Sequence, residues 1–185
     1  PFHRDADDLA AGLDAVRRSP ADSGVVDLLV VRPGVDRREV RDSVEVDVER
    51  GIVGDTWVER GSRRMADGSA NPEAQVTVMN AVAARLVAAT PDRMPLAGDQ
   101  VYVDLDLSTE NLPTGTVLDF GGAALEVTAE PHTGCAKFSA RFGVEALRLT
   151  ATPEGRFLRL RGINTRVVRG GRISVGDAVA VVRPE

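Results

Sequence analysis

Val101-Tyr102-Val103-Asp104-Leu105-Asp106-Leu107 places apolar side chains at every odd position, and Val117-Leu118-Asp119-Phe120-Gly121-Gly122-Ala123-Ala124-Leu125-Glu126-Val127-Thr128 folds two short apolar runs about a diglycine. A period of two is that of a β-strand with one buried face, and paired glycines between such runs mark a tight turn. The same punctuation recurs along the chain. Val25 to Val31 is an apolar run closed by Pro33-Gly34, Val44, Val46 and Val48 alternate with Glu45 and Asp47, and Gln75 to Met79 reads as a strand. Phe157 to Arg161 also reads as a strand, with Arg159 and Arg161 on one face. Arg166 to Arg169 and Ile173 frame the Gly170-Gly171 turn, and Ala178 to Val182 is the last strand. Many short strands with glycine turns and few helices predict a mainly β protein with short helices, its sheet closed or strongly curved.

Helical periodicity is confined to three places. Residues 5 to 19 form an amphipathic helix with Asp5 as N-cap, Leu9, Leu13 and Val16 on one face and Pro20 as the stop. Asn80 caps a helix running to about Ala89, before Pro91, and Phe142 to Thr150 is the third. Gly51-Ile52-Val53-Gly54-Asp55 is a glycine turn. Residues 59 to 73 are polar, with Gly61, Gly68 and Pro72, and form a long loop of the kind that serves as a lid or an excursion. Asp55, Asp99 and Asp177 each follow a glycine and are expected to stabilise turns. The chain reads as one domain, residues 25 to 185, with a helical N-terminal extension over residues 1 to 24.

Chemistry concentrates in Pro131-His132-Thr133-Gly134-Cys135-Ala136-Lys137-Phe138. This segment holds the only cysteine, the only lysine and one of two histidines in 185 residues. An imidazole and an ammonium beside a thiol favour thiolate, the form that binds soft metals and attacks electrophiles. The alternative is a small buried hydrophobe, but Pro131 and Gly134 favour a loop and a close backbone approach.

Composition limits the rest. The chain is 43% hydrophobic and 28% charged with a net charge of −5, an ordinary globular balance that disfavours nucleic acid as a partner. No apolar run reaches the ~18 residues of a membrane span, and Asp5, Asp7 and Asp8 are the wrong charge for a secretory signal. A single cysteine forms no internal disulfide, so a cytoplasmic location is expected. All cations but one are arginine, and they crowd the stretch from Cys135 to Arg172. Their planar forks suit phosphate or carboxylate, so a small anionic ligand is expected.

The phosphate-loop and dinucleotide glycine signatures are absent. Four Cys or His ligands for structural zinc cannot be assembled from three such residues. Cys135 and His132 are poorly spaced for a protease dyad, and pyridoxal phosphate, with Lys137 the only candidate Schiff base, is not expected in this chain. There remains a site with one protein thiolate, such as molybdenum whose other soft ligands come from a pterin dithiolene.

The ordered motifs resemble the MOSC domain, named for the C-terminal part of molybdenum cofactor sulfurases. They are Gly51-Ile52-Val53-Gly54-Asp55, Gln75-Val76-Thr77-Val78-Met79-Asn80, Leu96-Ala97-Gly98-Asp99-Gln100, Val103 to Leu107, Asn111-Leu112-Pro113-Thr114-Gly115-Thr116, the cysteine loop, Arg161-Gly162-Ile163-Asn164-Thr165-Arg166-Val167-Val168 and Gly176-Asp177-Ala178-Val179. The resemblance spans roughly residues 25 to 183. It implies a closed β-barrel similar to that of the pyruvate kinase barrel domain, and a molybdenum cofactor (molybdopterin) site with Cys135 as metal ligand. It further implies His132 as a catalytic neighbour, and Thr133, Gly134, Lys137, Arg161, Asn164 and Arg166 as cofactor-binding residues, with Gln75 and Asn80 marginal. Two activities follow from it: molybdenum-dependent reduction of N-hydroxylated or N-oxide small molecules, or non-catalytic delivery of cofactor or sulfur to a partner molybdoenzyme. The first needs an external electron donor. A homodimer is compatible with either.

Overall fold

The computed structural model describes residues 3–184. Eleven strands and seven α-helices are found among them. The strands are β1 (Ser23–Val31), β2 (Glu39–Arg41), β3 (Ser43–Asp47), β4 (Gly51–Ile52), β5 (Val76–Asn80), β6 (Val101–Asp104), β7 (Val117–Asp119), β8 (Ala124–Val127), β9 (Ile163–Arg169), β10 (Gly171–Ser174) and β11 (Ala178–Val182). The helices are α1 (Ala6–Ala11), α2 (Leu13–Arg17), α3 (Trp57–Arg60), α4 (Ala81–Ala88), α5 (Ala136–Phe142), α6 (Val144–Ala151) and α7 (Pro153–Phe157).

Seven strands close into a barrel in the order β1-β6-β5-β9-β8-β7-β11, with β11 returning to β1 through Ser23↔Ala180 to Val25↔Ala178. Every pairing in it is antiparallel except β5 with β6. The strand β1 can serve three neighbours because it shifts register between Val26 and Leu28; its far end, Leu29 to Val31, pairs with β2. A second sheet, β10-β3-β4, extends one side.

The apolar runs that look like core strands are buried on both faces. Leu29, Val78, Val101 and Val103 point into the barrel, while Val30, Met79 and Tyr102 point out beneath a helical layer that includes Phe138 and Phe142. Each fully buried side chain of this size contributes about 1.5–3 kcal/mol, so this double-faced region anchors the fold. The cap at Asn80 is as expected: its side chain accepts from Ala83 N at 2.9 Å, and it also donates to Leu105 O.

Four expectations are corrected. Residues 5 to 19 form two helices joined at Gly12, where an added Cβ would lie 2.2 Å from the Leu86 Cδ1 methyl of α4 and would force that side chain to move. Phe157 to Arg161 is no strand. Pro153 and the Thr152 cap start α7, which runs to Phe157, and a turn with Arg159 at φ +47° follows. Leu158 and Leu160 are buried by that turn, which mimics a strand's alternation. Helix begins immediately after Cys135, in α5, and breaks at Gly143 (φ +93°) before α6. Asp177 does close a turn, accepting from Ser174 N, but Asp55 and Asp99 are buried ion-pair partners.

Candidate functional site

Residues 131 to 135 carry the chain from the end of β8 to α5. At Gly134 an added Cβ would meet Leu147 Cδ1 at 2.4 Å, so this loop lies hard against α6. Cys135 occupies the N-cap position of α5 with an extended backbone, and it is exposed. The helix after it is fixed by Phe138 and Phe142, whose rings pack edge to face at 5.0 Å, and by the Arg161 guanidinium lying 5.0 Å from the Phe138 ring centre.

Beneath the loop lies a buried polar triad. Asp99 is wholly inaccessible; its Oδ1 accepts from His132 Nε2 at 2.7 Å, and its Oδ2 pairs with Arg161 Nη1. Burial alone raises the Asp99 carboxyl, but Arg161 and then His132 outweigh it and hold the group below its ordinary value. Burial and then Arg161 push the His132 imidazole below its own ordinary value, against the pull of Asp99. The ring is therefore neutral at pH 7, its proton faces the Asp99 carboxylate, and Nδ1 is left as an acceptor that bonds no described residue.

Arginines converge on the turn before this triad. Arg141 donates to Leu96 O, Arg161 to Ala97 O and Arg32 to Gly98 O, at 2.9, 2.9 and 3.2 Å. Arg32 also grips the buried Asp55 with two guanidinium bonds, Nε to Oδ2 at 2.8 Å and Nη2 to Oδ1 at 2.9 Å. On the exposed side Asp36 accepts from both Lys137 Nζ and Arg141 Nη2 at 2.9 Å, and the Lys137 ammonium lowers its carboxyl. Arg38 has its pKa lowered by burial and by the Arg141 and Arg32 charges, and Arg60 by burial and Arg32. Three buried guanidinium atoms have no hydrogen-bond partner among the described residues, Arg4 Nε near the N-terminus and, in this region, Arg38 Nε and Arg161 Nε. Such donors are costly to leave unmade, and they suit an anion.

The residues named from sequence are not all in one place. His132, Thr133, Gly134, Arg161 and Asn164 line a cavity of about 600 Å³ between the barrel end and helices α6 and α7. Cys135 stands outside it. Lys137 is engaged with Asp36, and Arg166 is on the outer surface of β9, paired with Glu126 at 2.8 Å and Glu73 at 3.5 Å. Gln75 and Asn80 serve the frame, through bonds to the backbone of Val48, Val167, Ala83 and Leu105. Sequence reasoning missed Asp99, Arg32 and Arg38. Asp99 follows a glycine and imitates a turn residue, while its partners lie 33 and 62 positions away.

The fold and the site together define a closed mixed β-barrel protein with one exposed thiol beside an arginine-rich turn. The chain belongs to the MOSC domain family, whose model matches residues 66–180, and that family is known for binding molybdenum cofactor. Solved structures share the fold. The YUAD protein from Bacillus subtilis is 19% identical over 88% of this chain and 97% of its own, with a TM-score of 0.63. YiiM from Escherichia coli is 16% identical over 87% of this chain and 71% of its own, with a TM-score of 0.55. No curated protein sequence matches the chain. Among the described residues, no helix is long and apolar enough to cross a membrane.

Proposed function

We propose that the chain binds molybdenum cofactor with Cys135 as the protein's metal ligand and reduces small N-hydroxylated or N-oxide molecules. The observation that carries this is the exposed Cys135 thiol next to a cationic cluster with unsatisfied buried donors at Arg38 Nε and Arg161 Nε. Among the described residues no three His, Cys, Asp or Glu side chains gather to hold a metal by themselves, so a metal at Cys135 needs soft ligands brought by its cofactor. The donor set fits: one thiolate for the metal, and the unpartnered Nε donors of Arg38 and Arg161 for the cofactor's anionic groups.

When bound, the cofactor supplies the two-electron chemistry. The chain's residues do the rest. Arg38 and Arg161 hold negative charge, and Phe138 and Phe142 lock the helix that presents Cys135. Asp99 keeps the His132 proton on Nε2 and leaves Nδ1 to take up a proton and pass it on. Reduction of an N-hydroxyl to an amine consumes two electrons and two protons and releases water, so an acid-base group beside the site is required. The electrons come from an external donor protein.

The test is metal analysis of protein made with molybdate in a cofactor-competent host, followed by turnover with an artificial electron donor. Molybdenum near one equivalent and consumption of an N-hydroxylated substrate, both lost in Cys135→Ala, is the expected result. Turnover by the variant equal to that of the native chain refutes the reading. Molybdenum bound by the native chain with no turnover assigns it instead to delivery of the cofactor to a partner enzyme.

A further inference from the structure

The cavity behind the cysteine loop extends beyond His132, Thr133, Gly134, Arg161 and Asn164 to residues given no part in holding the cofactor. It encloses about 600 Å³, a usual volume for a small-molecule site. Its wall includes apolar Leu147 and Ile163 together with Arg156 and Arg159. No described carboxylate pairs with either arginine. Arg159 Nη1 donates to Leu112 O at 2.7 Å and weakly to Leu107 O at 3.4 Å, and its remaining guanidinium nitrogens make no bond to the described residues. The carboxylate in the lining, Glu130, is already neutralised by Arg64 of the long polar loop. Asp99 likewise neutralises Arg161. The wall formed by Arg156 and Arg159 therefore carries uncompensated positive charge.

The backbone of this wall is also unusual. Arg159 sits at φ +47°, a left-handed conformation that glycine or asparagine would adopt more cheaply. It is held there by two turn bonds, Leu160 N to Gly155 O at 2.9 Å and Gly162 N to Arg159 O at 2.7 Å. Strained non-glycine residues persist where the surroundings over-determine them, and they cluster at ligand sites. Here the strained residue is the half-buried cation.

We propose that this cavity binds a small organic anion, with a carboxylate or phosphate monoester held by Arg159 and Arg156 and a compact apolar body lying against Leu147 and Ile163. The ligand is the substrate of the reaction proposed above; that role rests on the molybdenum reading, whereas the binding does not. His132 lines the same cavity, so a ligand held at the arginines shares it with the imidazole.

The test is calorimetric titration of the full chain, free of molybdenum, with benzoate, phenyl phosphate, the neutral benzamide and inorganic phosphate. Benzoate or phenyl phosphate should bind at least tenfold more tightly than benzamide, and the preferred one identifies the anionic group. Inorganic phosphate should be the weaker ligand beside phenyl phosphate, because it lacks the apolar body. Arg159→Gly relaxes the backbone and should keep the fold, yet lose at least tenfold in affinity for the organic anion. Arg156→Gln, at an exposed position, should lose less but in the same direction. Equal affinity for benzoate and benzamide, no binding of any probe, or full affinity in both variants overturns the proposal. Because molybdenum is absent throughout, these outcomes leave the cofactor reading to stand or fall on the metal analysis.

Discussion

His132 Nε2 lies 2.7 Å from Asp99 Oδ1, and the second oxygen of the same buried carboxylate pairs with Arg161. One side chain thus orients both the imidazole beside the cysteine and the guanidinium stacked over Phe138. Replacing Asp99 with Asn leaves a buried arginine without its counter-charge. Removal of one partner from a buried pair costs about 3–5 kcal/mol, so Asp99→Asn should lower the unfolding free energy measured with denaturant by that much. Nuclear magnetic resonance should show the His132 pKa falling further, because the interaction that raises it is gone. A rise would contradict the assignment of the pair.

The same pair makes stability pH-dependent. His132 has a folded pKa below its ordinary 6.5. Between those values the unfolded chain binds more protons, so stability rises with pH there and is complete above 6.5. Asp99, lowered from 3.8, adds a second contribution that is present above 3.8 and lost as pH falls through its folded value. Chemical denaturation in steps from pH 7.5 to about 3 should show falling stability below 6.5. His132→Gln should flatten that slope and leave the acid limb near 3.8 in place. An unchanged slope in the variant would place the titration elsewhere.

How much of this was legible in the sequence depends on the range of the interaction. The segments Leu29 to Val31, Val76 to Met79 and Val101 to Val103 declared themselves because burial on both barrel faces makes a strand almost wholly apolar. Asn80 was readable as a cap because it bonds three residues ahead. Leu158, Arg159, Leu160 and Arg161 were misleading, since their alternating apolar and charged side chains lie in a turn with one left-handed residue that buries Arg161 as well as both leucines. The start of α5 was hidden because only Phe138 and Phe142 mark its buried face. Cys135 was conspicuous by composition, whereas the Arg32–Asp55 and Arg161–Asp99 pairs span 23 and 62 positions and leave no local signal.

Gly155 illustrates a packing constraint with a direct test. A Cβ there would fall 2.0 Å from Leu149 O, a backbone atom that cannot swing aside, and the Gly155 N–H is the donor that Thr152 Oγ1 accepts at 2.9 Å. Gly155→Ala must displace the start of α7 from the end of α6. Overpacking of this kind costs about 1–3 kcal/mol, and thermal unfolding should show it as a clear drop in midpoint. The displacement also moves Arg156 and Arg159, so weaker binding of organic anions should accompany the loss of stability.

The long polar loop offers a last prediction, in which dynamics and stability separate. Within it Gly68 N donates to Met65 O at 3.0 Å, and Arg64 pairs with Glu130 at the rim of the cavity. The Arg64 side chain is 58% exposed and that of Glu130 19%, so solvent screens the pair and its contribution to global stability is about 0–1 kcal/mol. Its local effect is larger, because it is a side-chain tie between residues 59–73 and the cavity wall. Arg64→Ala should leave the unfolding midpoint nearly unchanged. Limited proteolysis should nonetheless cut the variant faster within residues 59–73, since cleavage follows local opening when the fold is otherwise stable. If Glu130 is released from Arg64, its free carboxylate also faces the cavity and opposes an anionic ligand. Benzoate affinity should therefore fall in Arg64→Ala and recover in the Arg64→Ala, Glu130→Gln double variant. Cleavage at the native rate would show that the ion pair does not restrain the loop.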